Sequence, residues 1–242
     1  MRLCILACEV LARPLYLCAA YSPHIVDIQL VARAQHNYPK VLRKTLQEHI
    51  DQASGYDYIL LGYGLCGQAA AGLRAGATPL VIPRAHDCIT LFLGSRERYN
   101  TQFTENPGTY WYAHDYMERD DGSGSALSMG VGSDNDLTLV YDEYVEKYGK
   151  DNADYLMEVM GAWQQHYQRA VYIDMDVGDG SAVAARAQAE ATRRGWVFER
   201  LAGDMILIRR LLEGDWADDF LVVPAGGTIH MATDDRIMEC LL

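Results

Sequence analysis

Residues 58–93 read YILLGYGLCGQAAAGLRAGATPLVIPRAHDCITLFL, and they decide the fold. Two short apolar runs, Tyr58–Leu61 and Pro79–Ile82, are separated by a Gly-rich stretch and are too short for helices, so both read as buried strands. Upstream, Leu3–Cys8 (LCILAC) is a third apolar run, and Ile25–Val31 (IVDIQLV) a fourth, rich in β-branched residues. Between Ile25–Val31 and Tyr58–Leu61, Pro39 opens a segment whose apolar Val41, Leu42, Leu46 and Ile50 predict one stripe of a helix. Apolar strands alternating with helices imply a parallel sheet covered on both faces.

The pattern breaks at residues 104–137, where Asp120–Asn135 (DDGSGSALSMGVGSDN) reads as a loop or linker. Its aspartates lack the alternate spacing of a calcium loop. Helical periodicity follows from Leu137 to about Tyr167, with Tyr141, Tyr144, Val145 and Tyr148 on one face and Gly149 as a stop. Strand–helix alternation then resumes with a strand over Ala170–Asp174 and a helix from Ser181 to Gly195. A strand over Trp196–Glu199, a helix over Asp204–Glu213 and a strand over Phe220–Val223 complete it. The predicted architecture is α/β: two Rossmann-like lobes with mostly parallel sheets, 1–105 and 169–242, joined by a loop and helical connector, 106–168.

Cys8 ends the first strand, Cys66 follows the third and Cys88 the fourth, with His86 two residues before it. Open parallel sheets bind ligands outside the carboxyl ends of their strands, so these residues are expected to share one crevice. His36, after the second strand, points to the same rim. Three thiols and an imidazole suit tetrahedral zinc, and three thiolates with an open position suit an iron–sulfur cluster. Glu9 or Asp87 offers a harder ligand or an orienting hydrogen bond. If the site is catalytic, His86 acts as acid/base with Asp87 orienting its ring. The same thiols also read as buried packing residues. A third reading makes Cys66 a nucleophile at the start of a helix opening at Gly67, with His86 as its base. Cys4 and Cys18 read as packing residues, and Cys240 as part of the C-terminal tail.

Gly62, Gly64 and Gly67 also form G-x-G-x-x-G after a strand, which offers a pyrophosphate cradle for NAD(P) or another nucleotide, with Asp87 near the position of a ribose carboxylate. A cysteine inside that turn weighs against it. Gly178–Ser181 precedes a helix and Gly226, Gly227 and Thr228 follow the last strand. The latter are expected to face the crevice from the second lobe and bind substrate.

Half of the 242 residues are hydrophobic and 22% are charged, a globular profile. The net charge of −12 argues against a nucleic-acid partner. No apolar run reaches a membrane span, and MRLCILACEV reads as a strand and not as a leader. A cytoplasmic setting with reduced thiols follows as the expectation, with a small-molecule substrate.

GYGLCG, PLVIPRAHDCITLFLGSRERY, PGTYW and the later WVFERLAGDMILIRRLLEGDW and FLVVPAGGTI resemble a bacterial and archaeal family known as domain of unknown function 1638. The resemblance covers nearly the whole chain. It implies an enzyme or accessory factor linked to corrinoid-dependent methyl transfer, with methyl-transfer proteins as partners, and carries Cys8, Cys66, His86, Asp87 and Cys88, with His36 a weaker member, as the site. The chain lacks the D-x-H-x-x-G pattern of a corrinoid carrier, so the carrier is expected to be another protein.

Overall fold

In the computed structural model, residues 1–33, 35, 38–119, 145, 149–150 and 167–241 are described. His36 and most of the predicted helical connector lie outside them.

The first strand, β1 (Arg2–Cys8), is buried from Leu3 to Cys8, as an uninterrupted apolar run demands. A 3-10 turn, Glu9–Leu11, leads into α1 (Ala12–Tyr21), and β2 (Ile25–Val31) returns parallel to β1. Pro39 opens α2 (Pro39–Gln52), where a missing N–H costs nothing. Its buried stripe is Leu42, Leu46 and Ile50. Val41, expected on that stripe, is half exposed, because it sits one residue and about 100° around the helix from Leu42. Next come β3 (Tyr58–Gly62) and β4 (Leu80–Pro83), with turns and no helix between them.

Beyond β4 lie α3 (Cys88–Leu93), α4 (Arg96–Glu105), β5 (Thr109–Ala113) and α5 (His114–Glu118). After the connector come β6 (Arg169–Asp174), α6 (Ser181–Arg194), β7 (Val197–Ala202) and α7 (Ile206–Glu213). Gly195 and Gly214 close α6 and α7 in the left-handed conformation expected of such stops. The chain ends with β8 (Phe220–Val223), β9 (Thr228–Met231) and β10 (Met238–Leu241).

The strands build a five-stranded sheet in the order β2-β1-β3-β4-β8, a three-stranded sheet β5-β6-β7 and the pair β9-β10. The three-stranded sheet is wholly parallel, and the larger one is parallel except for β8. The α/β class with mostly parallel sheets is therefore as the sequence predicts. The assignment of strands to halves differs. β8, expected to end the second lobe, pairs antiparallel with β4 in the first sheet, while β5 joins β6 in the second. One apolar core joins both sheets, from Leu6 and Leu61 through Phe92 to Val171 and Ile173. A smaller one, around Tyr110, Tyr172 and Ala187, lies under α6.

Among the described residues no helix is long and apolar enough to cross a membrane.

Candidate functional site

The order β1-β3-β4 puts the carboxyl ends of three neighbouring strands side by side; Cys8 ends the first, and Cys66 and Cys88 follow the other two. Cys8 is the last residue of β1 and is buried. Cys66 lies in the turn after β3, where it takes a left-handed φ of 46°; Gly67 and Gln68 follow at 61° and 72°. A cysteine and a glutamine in that region carry backbone strain. Two ladder-like hydrogen bonds hold the turn: Leu65 N–H donates to Ala85 O at 2.8 Å and Cys66 N–H to His86 O at 2.9 Å. Cys88 begins α3, whose N-cap Asp87 accepts from Ile89 N–H at 2.9 Å.

The three thiols are close enough to act on one another electrostatically. Burial pushes the Cys8 thiol up to about 12. Cys66 is pushed up further, by burial and then by Asp87 and Cys8. Cys88 also rises well above the usual thiol value, by burial and by Asp87, Cys66 and Cys8. Tyr63, which sequence reasoning passed over as part of the turn, is buried among them and its phenol is pushed up by burial and by the same three cysteines. Among the described residues no three His, Cys, Asp or Glu side chains are gathered tightly enough to hold a metal ion.

Asp87 is taken up by the protein itself. Besides capping α3, it accepts from Tyr99 O–H at 3.0 Å. Burial raises its pKa, against the lowering effect of Tyr99 and the backbone N–H donors. His86 is exposed and stacks on Tyr99, ring centroids 6.0 Å apart, and Tyr99 stacks on Phe103 at 5.7 Å. Tyr99 is the second residue that sequence reasoning missed. The only signal was its place in GSRERY, eleven residues after Cys88. Glu9 is likewise engaged, accepting from Arg33 N–H at 2.8 Å and standing 3.9 Å from Arg119 Nη1. Cys4 is buried in mid-strand, Cys18 lies against Met205 with sulfurs 4.0 Å apart, and Cys240 faces the carbonyl of Leu241.

Three sequence expectations need correction. No helix begins at Gly67, so no helix N-terminus lowers the Cys66 pKa or receives a pyrophosphate. Gly62 and Gly64 have packing reasons instead, and Gly67 takes a left-handed turn conformation. A Cβ on Gly62 would stand 2.5 Å from that of Ala7 on β1, and one on Gly64 would stand 2.7 Å from Asp87 N. The third concerns Gly226, Gly227 and Thr228. Because β8 is antiparallel, Val223 pairs with Leu80 at the amino end of β4, so these residues leave the sheet at the end opposite the thiols. There Gly226 N–H donates to Ala75 O, Ala75 N–H donates to Gly227 O, and Thr228 bridges Arg74.

No curated protein and no solved structure matches the chain. A family model described as "Protein of unknown function (DUF1638)" matches residues 30–212, a span that carries Cys66, His86 and Cys88, and the chain belongs to that family.

Proposed function

We propose that the chain is an iron–sulfur protein whose cluster is held by Cys8, Cys66 and Cys88. The observation that carries this reading is the order β1-β3-β4, which delivers one cysteine from each of three adjacent strand ends. Thiolates are the ligands such clusters take. Adjacent strands lie about 4.8 Å apart, whereas one tetrahedral zinc, with Zn–S bonds of about 2.3 Å, needs sulfurs within about 4 Å of each other. A cluster is a wider body than a single zinc ion and suits ligands that arrive from three neighbouring strands.

Three cysteines leave one iron without a thiolate, which is the arrangement a cluster uses to meet a substrate or an additional ligand. His86 is the nearest candidate by sequence for that position or for acid/base work beside it. The family resemblance adds a setting, an enzyme or accessory factor in corrinoid-linked one-carbon metabolism.

Single Cys→Ser variants test the reading. After anaerobic reconstitution with iron and sulfide, C8S, C66S and C88S should each hold markedly less iron than the wild type, while C4S, C18S and C240S should match it. Equal iron in all six variants would remove the proposal. His86→Ala then assigns the histidine: retained iron makes it an acid/base or substrate group, and lost iron makes it the fourth ligand.

A further inference from the structure

β2 closes one edge of the five-stranded sheet, and among the described residues no strand pairs with its outer side. It runs seven residues, IVDIQLV, in unbroken register with β1. Edge strands are ordinarily kept from joining other chains by shortness, bulges, proline or lysine. β2 has none of these, and its single charge, Asp27, is paired with Arg2 at 3.1 Å. Its apolar side chains are not sealed: Ile25 is 65% exposed, and Val26, Ile28 and Leu30 are partly exposed.

A second copy of the chain is the occupant this strand fits. Two copies related by a two-fold axis pair antiparallel, and facing side chains share one side of the joined sheet only when the axis is centred on a residue. Centred on Ile28, the axis sets Ile28 against itself, Val26 against Leu30, Ile25 against Val31 and Asp27 against Gln29. Every apolar residue then meets an apolar one, and the one charge meets an amide that can donate to it. Centred on Asp27, the axis would oppose two carboxylates, and centred on Gln29 it would set Asp27 against Val31. β7, an edge strand of the other sheet, lacks this symmetry. Its two central registers set Glu199 against Glu199 or Arg200 against Arg200.

We infer that the chain forms a two-fold dimer by antiparallel pairing of β2 with β2 of a second copy, centred on Ile28. The two five-stranded sheets then become one sheet of ten strands. The outer N–H and C=O groups of β2 gain partners, and the exposed parts of Ile25, Val26, Ile28 and Leu30 are covered. The inference does not rest on the iron–sulfur reading, since β2 carries none of the three cysteines.

Sedimentation equilibrium on the full chain tests it. The wild type should show twice its 27.1 kDa mass at micromolar concentration. Gln29→Asp sets a carboxylate opposite Asp27 of the second copy at two symmetric places, and should weaken the dimer about two- to thirtyfold, the scale of two cross-strand charge pairs. Gln29→Lys should tighten it over the same range. Both variants lose the Gln29 contact with His49, 3.0 Å long, so that loss cannot produce opposite shifts. The same two changes at Gln188, exposed on α6, should leave the dissociation constant unchanged, which separates strand pairing from net charge. Under mild oxidation Ile28→Cys should give a disulfide-linked dimer, because facing Cα atoms lie about 4.5–5.5 Å apart, and Val26→Cys should not. A monomeric wild type would overturn the inference. So would shifts of one direction or none in the Gln29 variants, equal shifts at Gln188, or equal cross-linking through Val26→Cys.

Discussion

The backbone N–H of Cys66 donates to the carbonyl of His86 at 2.9 Å, tying the turn after β3 to the turn after β4. Both turns carry residues of the candidate site, so this bond and the one from Leu65 to Ala85 set where Cys66 stands relative to His86 and Cys88. The close approach requires Gly64, whose absent side chain leaves room for Ala85 and Asp87.

Gly64→Ala should therefore act on both stability and site. A Cβ there meets backbone atoms at 2.7, 2.8 and 2.9 Å, which cannot move like a flexible side chain. We expect a loss of about 1–3 kcal/mol in chemical denaturation, together with lower iron uptake. Unchanged stability would mean that the two turns are not held as tightly as described.

Tyr99→Phe removes one hydrogen bond to a buried carboxylate and leaves the ring stack with His86 and Phe103 in place. The expected cost is about 1–2 kcal/mol. Asp87→Asn tested in the Tyr99→Phe background should cost less than in the wild type, because the two residues share that bond. Additive losses would show that the pair is not coupled.

How much of this was legible in the sequence follows from what each feature depends on. The strands β1, β3 and β4 could be read because burial on both faces demands continuous apolar runs, which are local, and the partly exposed edge strand β2 because it is rich in β-branched residues. The side-by-side placement of the strand ends that carry or precede Cys8, Cys66 and Cys88 was also accessible, since parallel strands expose all their carboxyl ends on one edge. The partner of Phe220–Val223 was not, because a four-residue apolar strand carries no mark of which sheet or direction it will take. Gly226, Gly227 and Thr228 were misplaced for that reason alone. Gly62, Gly64 and Gly67 matched a nucleotide fingerprint because glycines needed for other reasons fall at the same spacing: close packing at Gly62 and Gly64, and a left-handed turn at Gly67. Tyr63 and Tyr99 were missed because a tyrosine beside a thiol or carboxylate looks, in sequence, like any other packing residue.

A network at the start of α1 predicts acid sensitivity. Arg13 donates through its backbone N–H and its guanidinium to the buried Asp115 of α5, and pairs with Glu118. The Arg13 hydrogen bond holds the Glu118 carboxyl below its ordinary value of 4.5. A depressed carboxylate stabilises the fold above its unfolded pKa and loses that contribution as pH falls through the lower, folded value. Stability should thus decline below about pH 4.5, and less steeply in Glu118→Gln. Arg13→Met, which leaves Asp115 with Arg119, should cost about 1–3 kcal/mol at neutral pH. An unaltered acid limb in Glu118→Gln would count against this account.

At the alkaline end Cys4 makes the opposite prediction. Burial, aided by Asp27, pushes its thiol from 9.0 up to about 11. Its neutral form is favoured by the fold, so its contribution is complete below pH 9 and is lost as pH rises through about 11. Stability should fall over that window, and Cys4→Ala should flatten the slope by about one proton relative to the wild type. Identical slopes would indicate that Cys4 ionises as freely in the fold as in the unfolded chain.

The central claim is that three cysteines on neighbouring strand ends hold one iron–sulfur cluster. Iron and acid-labile sulfide, counted together with the visible spectrum after anaerobic reconstitution, test it most directly. The account predicts about four iron and four sulfide per chain with broad sulfur-to-iron absorption, falling sharply in Cys66→Ser. A colourless wild-type protein, or one that takes up iron without sulfide and equally well in Cys66→Ser, would contradict it.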